Sequence, residues 1–473
     1  MEYTELSAYD VAPGVVTTWT PAADAAAWSD DDRGLSPNHE LHLAESEVGS
    51  WIGSIMRIPA PLDADVLSRA LRAWMARHEV LRAGVVPTDA GWRRRTVPAD
   101  AVRLETADLG RRSGEEAQQA IADFLAASVS PYAWPHCVFA TVDDPAHPEA
   151  GFTLAFGADH SVMDAYSQLL WFEEIAGLYE RAAAGVPDGE LAMLEVGSNL
   201  DHADVERAFA EALTADAEPV VRWRDYLTAE DRPGFPAFPV ADVANPVDRT
   251  PEGRADAPRL KQASFATWLT DAPTAGILNQ LCRAGGMSLQ SGVLAGMVHA
   301  FREVHGVERV RFVLPMHTRF TPEFATAIGW YVGLCPVDVD ITGVRTLPEV
   351  AVRVHEAVAA GKDLVAHPFA RVRELLGVRD TPHFAVSYVD ARFVPGADRW
   401  DEWDARALRS PAFADDEVYL WFGRTADGLN VSARYPETIT AERAMRDLVA
   451  GVAEVLEETA RPLLRGESLV TTA

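Results

Sequence analysis

Lysine is almost absent: only Lys261 and Lys362 stand among the 42 basic residues of this 473-residue chain. That usage reads as nucleotide bias in the genome and carries no functional weight. Cysteine is nearly as rare. Cys137, Cys282 and Cys335 are far apart and odd in number, so they build neither a disulfide framework nor a metal-ligand set. Their apolar surroundings make them inert thiols, and a reducing, cytoplasmic setting is expected. No run approaches 18 apolar residues, which excludes a membrane-spanning helix. The opening MEYTELSAYD is acidic and has no apolar centre, so it is not a signal peptide. Positive charge is in deficit, and the formal net charge is −29. Such a field repels phosphate backbones and anionic lipid surfaces, so neither nucleic-acid binding nor membrane insertion is expected. The acidic surface serves solubility, although a local basic patch would still hold a phosphorylated ligand.

What remains is the balance of a globular protein, with 48% apolar and 24% charged residues. The length suits two domains of roughly 200 residues each. LDADVLSRALRAWMARHEVLRAGV predicts a helix capped by Asp63, with Val66, Leu67, Ala70, Leu71, Trp74 and Met75 on one stripe. Arg77 and His78 suit its C-terminal end. PHCVFATV (135–142) and FTLAFGAD read as two strands of a hairpin around a proline-rich loop. YSQLLWFEEIAGLYERAAAG then predicts a helix burying Leu169, Phe172, Ala176 and Tyr179 and ended by Gly185 and Pro187. Residues 186–255 are rich in proline and glycine yet carry too many large apolar residues for a disordered linker, so they read as a crossover. A short helix there carries Val205, Phe209 and Leu213, followed by Val220, Trp223 and Tyr226. The second half continues with a helix over 288–306, the strands RVRFVLPM, LCPVDVDI, HFAVSYVD, EVYLWFG and LNVSARY, and a last helix with Met445, Leu448, Val449, Val452, Val455 and Leu456 on one face. Strands and helices alternate, but the hairpins favour an α/β (α+β type) fold of mixed sheets with helices on one side. The division expected is 1–185, 186–255 and 256–473. No short-period repeat is present.

The stretch FGADHSVMDAYSQLLWF (156–172) places a histidine between a strand and a helix, with an aspartate four places on. With 13 histidines and 71 acidic residues in 473, about two such pairs arise by chance, so the spacing alone is weak. Its context is stronger: strand parity puts His160 on the inward face of Phe156 and Ala158 at a strand end. A buried, satisfied core histidine is the bland alternative. A neutral imidazole there suits acyl transfer from a thioester. The carbonyl is already electrophilic and the thiolate leaves readily, with a conjugate pKa of about 8.5. What is missing is a base to take a hydroxyl or amine proton, worth roughly 10²–10⁴ in rate. No metal, redox cofactor or covalent enzyme intermediate is required, and a metal-hydrolase reading of His160 and Asp164 lacks further ligands. Asp164, buried one turn away, needs a cation. Arg319 of LPMHTRF is the candidate, bracing the His160 loop rather than relaying charge.

The segment Asp159-His160-Ser161-Val162-Met163-Asp164-Ala165 resembles the His-His-x-x-x-Asp-Gly signature of the condensation-domain superfamily of thioester-dependent acyltransferases. LRAWMARHEVLRAGV resembles its early "RHE-x-LR" block. PMHTRF, IGWYVGLCPVDV and RWRDYL…GFPAFPV resemble blocks of the second half and of the join. GKDLVAHPFARV, HFAVSYVDARFVP and DEVYLWFGRTADGLNVSARYP are most similar to the free-standing, polyketide-associated branch. The resemblance spans most of the chain. It implies two chloramphenicol-acetyltransferase-like lobes in a V, with His160 midway along a tunnel between them. Donor and acceptor would enter from opposite faces. Two positions depart from the signature: Asp159 replaces the first histidine, and Ala165 replaces the glycine, where a methyl alters acceptor fit if that N–H binds the oxyanion.

The resemblance implies an enzyme that moves an acyl or aminoacyl group from a phosphopantetheine or coenzyme A thioester to a small-molecule alcohol, making an ester in natural-product or complex-lipid biosynthesis. An acyl or peptidyl carrier protein is the expected partner, touching weakly at the tunnel mouth. No bound cofactor or metal is expected. Amide formation with an amine is one alternative. A catalytically silent relative that only binds a carrier protein is another, kept alive by Asp159 and Ala165. His160 is the expected base, with Asp164 and Arg319 structural beside it. Ala165, Trp330 and Ser387 are candidates for substrate contact. Packing of Trp330 and Tyr331 in an aromatic core, and of Ser387 or Tyr388 on plain strand surface, are the bland alternatives.

Overall fold

The computed structural model describes residues 3–46, 49–89, 91–191, 194–229, 234–240, 243 and 259–465. The hairpin sits at the centre of the first sheet, as Cys137–Asp143 paired antiparallel with Phe152–Ala158. The sheet runs in the order Tyr3–Glu5, Arg406–Arg409, Ile52–Ile58, Phe152–Ala158, Cys137–Asp143, Gly14–Ala22, Arg103–Arg112. Every residue of Phe152–Ala158 is buried. Phe152, Leu154, Phe156 and Ala158 pack against the helices Ala64–Arg77 and Ala165–Ala183. Ala155 lies with Val138, Ala140 and Val142 against Ala117, Ile121 and Leu125 of the helix Gly114–Ser128. Helices therefore cover both faces of this sheet, not one. Small residues on the second face allow it: a methyl at Gly157 would sit 3.0 Å from Leu125 Cδ2.

Helix Ala64–Arg77 is capped by Asp63, whose side chain accepts from the Asp65 and Val66 amides, and it buries Leu67, Ala70, Leu71, Trp74 and Met75. Its C-terminal end is tied down by side chains as well as by the helix dipole. Glu174 of the Ala165–Ala183 helix takes Arg77 Nε at 3.2 Å, His78 Nε2 at 2.7 Å and Trp74 Nε1 at 3.0 Å.

The second sheet runs Gln262–Asp271, Gly428–Pro436, Val418–Arg424, Phe384–Asp390, Arg309–His317, Val332–Asp340. Phe384–Asp390 pairs parallel with both of its neighbours, and the other pairings are antiparallel. One face packs on the helices Ala272–Ala284, Leu289–His305, Leu347–Gly361 and Ile439–Leu464. A small sheet of Ser29–Asp31, Gly91–Thr96 and Ala83–Thr88 completes the strands.

One detail differs from the sequence reading. Arg406–Arg409 falls within 256–473 yet pairs with Ile52–Ile55 and Tyr3–Glu5, so that segment reaches into the first sheet. Gln168 Nε2 donates to the Leu408 carbonyl at 2.8 Å, and Arg409 stacks 4.7 Å from both Tyr3 and Trp421, filling the junction of the two large sheets. The proposed boundary at 256 lies outside the described residues. In the crossover, helix Asn199–Glu211 turns inward the face opposite its large apolar residues. Val205 is 50% and Phe209 43% exposed, while Leu200, His202, Ala203, Glu206 and Ala210 are buried. That face meets a polar seam, where His202 reaches the Thr318 carbonyl. Val220, Trp223 and Tyr226 of Glu218–Leu227 are buried. Among the described residues, no helix is long and apolar enough to cross a membrane.

Candidate active site

The motif strand ends at Ala158, and the chain then makes a single 3-10 turn, His160–Val162. Asp159 caps that turn by accepting from the Ser161 amide at 2.9 Å. Asp164 then caps the long helix Ala165–Ala183, accepting from the Ser167 amide at 2.7 Å. His160 is thus held between two capped turns, and its backbone has little freedom. Its ring lies 4.8 Å from the indole of Trp330, which arrives from the second half of the chain in the loop before strand Val332–Asp340. The Nδ1 atom is buried with no partner beyond the residue's own backbone, while the residue as a whole stays partly exposed. Burial depresses the His160 pKa below the ordinary histidine value. The charge of His42 adds to this, and the residue's own backbone, Asp159 and Asp164 oppose it. The imidazole is therefore neutral at neutral pH and able to take a proton.

Asp164 and Arg319 meet as a buried ion pair. Arg319 Nη1 donates to Oδ2 at 2.7 Å and Nη2 to Oδ1 at 3.1 Å, with side chains 4% and 1% exposed. The Tyr331 amide donates to Oδ2 at 3.0 Å. Two donors on each oxygen leave Asp164 no capacity for His160. Burial pushes its carboxyl up, but the Arg319 charge and hydrogen bonds, joined by Ser167, win and keep it ionised. Arg319 also donates to Ser167 Oγ at 2.8 Å and the Ala327 carbonyl at 3.2 Å, with its guanidinium 4.3 Å from the Tyr331 ring. Ser167 Oγ in turn donates to the Gly329 carbonyl at 3.0 Å. The motif helix and the Trp330 loop are locked together across the seam.

The other candidate residues separate. Ala165 is the first residue of the motif helix and is exposed, so its amide is one of the first-turn N–H groups that no intrahelical carbonyl can satisfy. Tyr331 is fully buried in the Arg319 cluster and shapes packing. Ser387 sits half-buried in the second sheet opposite Trp421, and nothing among the described residues joins it to His160. Its neighbour Tyr388 has a buried hydroxyl without a partner, and burial raises its pKa.

Several residues at the site escaped the sequence reading. His42, on helix Pro37–Glu45, bonds both oxygens of Asp159 through Nε2, at 3.0 and 3.1 Å. His78 bridges Glu174 and the Ile328 amide, which donates to its Nδ1 at 3.3 Å, so it props the Trp330 loop. The "RHE" block was the available signal for His78; His42 had none. A cleft of about 510 Å³ opens between Pro37–Glu45, Asn199–Glu211 and Phe369–Leu376. Glu40, Leu41, Arg207 and Arg371 help line it, and no motif residue does. It lies on another face of the helix that carries His42.

With this geometry in place, comparison with known proteins is informative. The profile of the family described as Condensation domain matches residues 42–388, well over half the chain. The 2'-acyl-2-O-sulfo-trehalose (hydroxy)phthioceranyltransferase PapA1 of Mycobacterium tuberculosis is 24% identical over 410 residues, covering 83% of this chain and 76% of that protein. Acyltransferase PapA3 of the same organism is 26% identical over 343 residues, covering 71% of this chain and 68% of the relative. The solved structure of PapA2 acyl transferase superposes with a TM-score of 0.84 at 21% identity, covering 97% of this chain and 100% of that one. The fold is accordingly that of two chloramphenicol-acetyltransferase-like lobes.

Proposed function

Since the chain belongs to the Condensation domain family and its named relatives are acyltransferases, we propose that it transfers an acyl group from a pantetheine thioester to an alcohol, forming an ester. The observation that carries this reading is the His160 imidazole, kept neutral by burial at the seam beside Trp330. Neutral His160 takes the hydroxyl proton as the oxygen adds to the thioester carbonyl carbon. The tetrahedral adduct collapses, the C–S bond breaks, and the departing thiolate recovers the proton from the imidazolium. Ester and free thiol leave, and His160 returns to its starting state. The Ala165 amide, at the positive end of the motif helix, is the donor assigned to the developing oxyanion. Asp164 and Arg319 hold the loop and do not touch the reacting atoms.

PapA1 is named for acting on an acylated sulfo-trehalose, a molecule rich in hydroxyls, which supports an alcohol as acceptor here. The donor arm is pantetheine, on an acyl or peptidyl carrier protein or on coenzyme A. The test is turnover of acyl-pantetheine thioesters with panels of alcohols and amines, read as free thiol and as product mass. His160→Ala should lose about 10²–10⁴ in rate with its melting temperature retained. Unchanged turnover in that variant overturns the base assignment. Amide products formed in preference to esters overturn the acceptor class. Binding of a carrier protein without any transfer by the wild type overturns the enzyme reading in favour of a silent binder.

A further inference from the structure

The position before His160 carries an aspartate where the resembled signature has a histidine. That carboxylate is buried, with its side chain 3% exposed, so it needs a countercharge close by. Three histidines converge on it. His136 precedes the hairpin, and its Nδ1 donates to the Ser130 carbonyl at 2.7 Å. Burial lowers its pKa. His39, one turn before His42, is lowered well below the ordinary value, by burial first and by Arg94 of the small sheet next. Both rings are therefore neutral at neutral pH. His42 differs from them. Its side chain is 19% exposed, its Nε2 bonds both Asp159 oxygens, and its Nδ1 lies 2.8 Å from Ser46 Oγ. Nε2 therefore donates to Asp159, while Nδ1 can donate to or accept from the Ser46 hydroxyl, so the site holds a neutral ring or an imidazolium, and the buried Asp159 carboxylate favours the cation. The two carboxylates on its own helix are engaged elsewhere, Glu40 by Arg207 at 2.7 Å and Glu45 in a two-bond pair with Arg373 at 2.6 and 2.7 Å.

The His42 ring meets the Trp330 indole edge-on at 5.6 Å, and the same indole meets His160 at 4.8 Å. Trp330 is therefore gripped between two imidazoles, one paired to a carboxylate and one free. We propose that His42, ion-paired to Asp159, is a positioning residue for the His160 imidazole: its cationic ring fixes Trp330 against His160 and supplies a fixed positive charge beside the base. This inference rests on the acyl-transfer reading above. The charge of His42 makes a second proton on His160 less favourable, so the base stays available to lower pH. Asp159, held far below the usual carboxylate range by the His42 hydrogen bond and charge against the opposing pull of burial, stays ionised throughout.

The pH profile of kcat/KM separates this role from mere packing, because its acid limb reports the base of the free enzyme. His42→Gln keeps an N–H donor toward Asp159 and removes the charge. The limb should move to higher pH, lowering kcat/KM at pH 6 about three- to ten-fold more than at pH 8.5. His42→Lys keeps the charge and should keep the limb near its wild-type position. A uniform loss with the Gln limb superimposed on wild type overturns the proposal. So does a displaced limb in the Lys variant, which decides the matter if the Gln variant does not fold. A wild type that forms no acyl product sinks the acyl-transfer reading and this one with it. Wild-type turnover with superimposed limbs sinks only the role of His42.

Discussion

Arg319→Ala strands the Asp164 carboxylate in the seam. The variant deletes two charge-assisted bonds, at 2.7 and 3.1 Å, and leaves only the Ser167 and Tyr331 amides on a carboxylate whose side chain is 1% exposed. Removing one partner of a buried pair typically costs about 3–5 kcal/mol, because the remaining charge has lost its compensation. For folding units of about 150–250 residues each kcal/mol moves the melting midpoint by about 2–4 °C, so a drop of roughly 10 °C is expected. Asp164→Asn combined with Arg319→Met removes both charges while keeping a good helix cap, and should recover more than half of that drop. The pH dependence follows in sign. The folded carboxyl is held below its unfolded value, near 3.9 for a free aspartate. Its contribution is complete above that value and disappears as the pH falls through the folded one. In Arg319→Ala burial is no longer offset and pushes the stranded carboxyl up, so the gap between wild type and variant should be widest at alkaline pH and narrow as the pH falls through that raised value. Differential scanning calorimetry at fixed scan rate reads all three. An Arg319→Ala midpoint within about 2 °C of wild type, or a double variant whose losses simply add, would refute the reasoning.

Two further expectations concern groups outside the proposed chemistry. Burial pushes the Glu206 carboxyl up to about 8, with a Ser36 bond opposing, so the folded protein holds a proton there that the unfolded chain has released. That contribution is whole below the unfolded value near 4.3 and is lost as the pH rises toward the folded one, so Glu206→Gln should gain on wild type between pH 5 and pH 8 in thermal melts; a constant difference would contradict the assignment. Burial raises the pKa of all three thiols, Cys335 up to about 12, so maleimide at pH 7 should label native protein at far less than one site and unfolded protein at three; rapid native labelling would place a thiol at the surface.

The sequence was most informative where local pattern and a buried charge coincide. The hairpin and the two helices around His160 follow from alternation, apolar spacing and turn residues, with Asp63 legible as one cap, whereas the capping role of Asp164 emerges only from the structure. Arg319 was reachable because a buried aspartate requires a cation, and LPMHTRF supplied one. His42 was not reachable. It is one of 13 histidines, and its partnership with Asp159 spans 117 residues, so nothing local marks it. Asp159 itself read as a tolerated replacement because its partner was invisible. The strand Arg406–Arg409 is only four residues long, and its place beside Ile52–Ile58 is set by the junction around Arg409, Tyr3 and Trp421 rather than by its own pattern. The buried face of the crossover helix was not legible, because apolarity there does not mark burial. In a polar seam His202 and Glu206 go inside, and Val205 and Phe209 remain outside.

The two carboxylates flanking His160 are both ionised, and neither is available to it. Asp159 is taken by His42 and Asp164 by Arg319. An imidazole with a carboxylate on Nδ1 becomes a stronger base and keeps its developing charge neutralised; this one has a buried Nδ1 that meets only its own backbone, and a depressed pKa. A weak, lone base of this kind suits a donor that is activated before it arrives. With a thioester, the leaving thiolate has a conjugate pKa of about 8.5 and departs without strong acid assistance, and the carbonyl accepts attack by a hydroxyl whose proton is removed only as the bond forms. An unactivated amide or alkyl ester would ask the same ring to generate a stronger nucleophile and then protonate a much poorer leaving group. The partition of charge around His160 therefore selects for an activated acyl donor. A carboxylate introduced within hydrogen-bonding reach of Nδ1 should raise the ring's pKa and cost activity at the acid end of the pH profile.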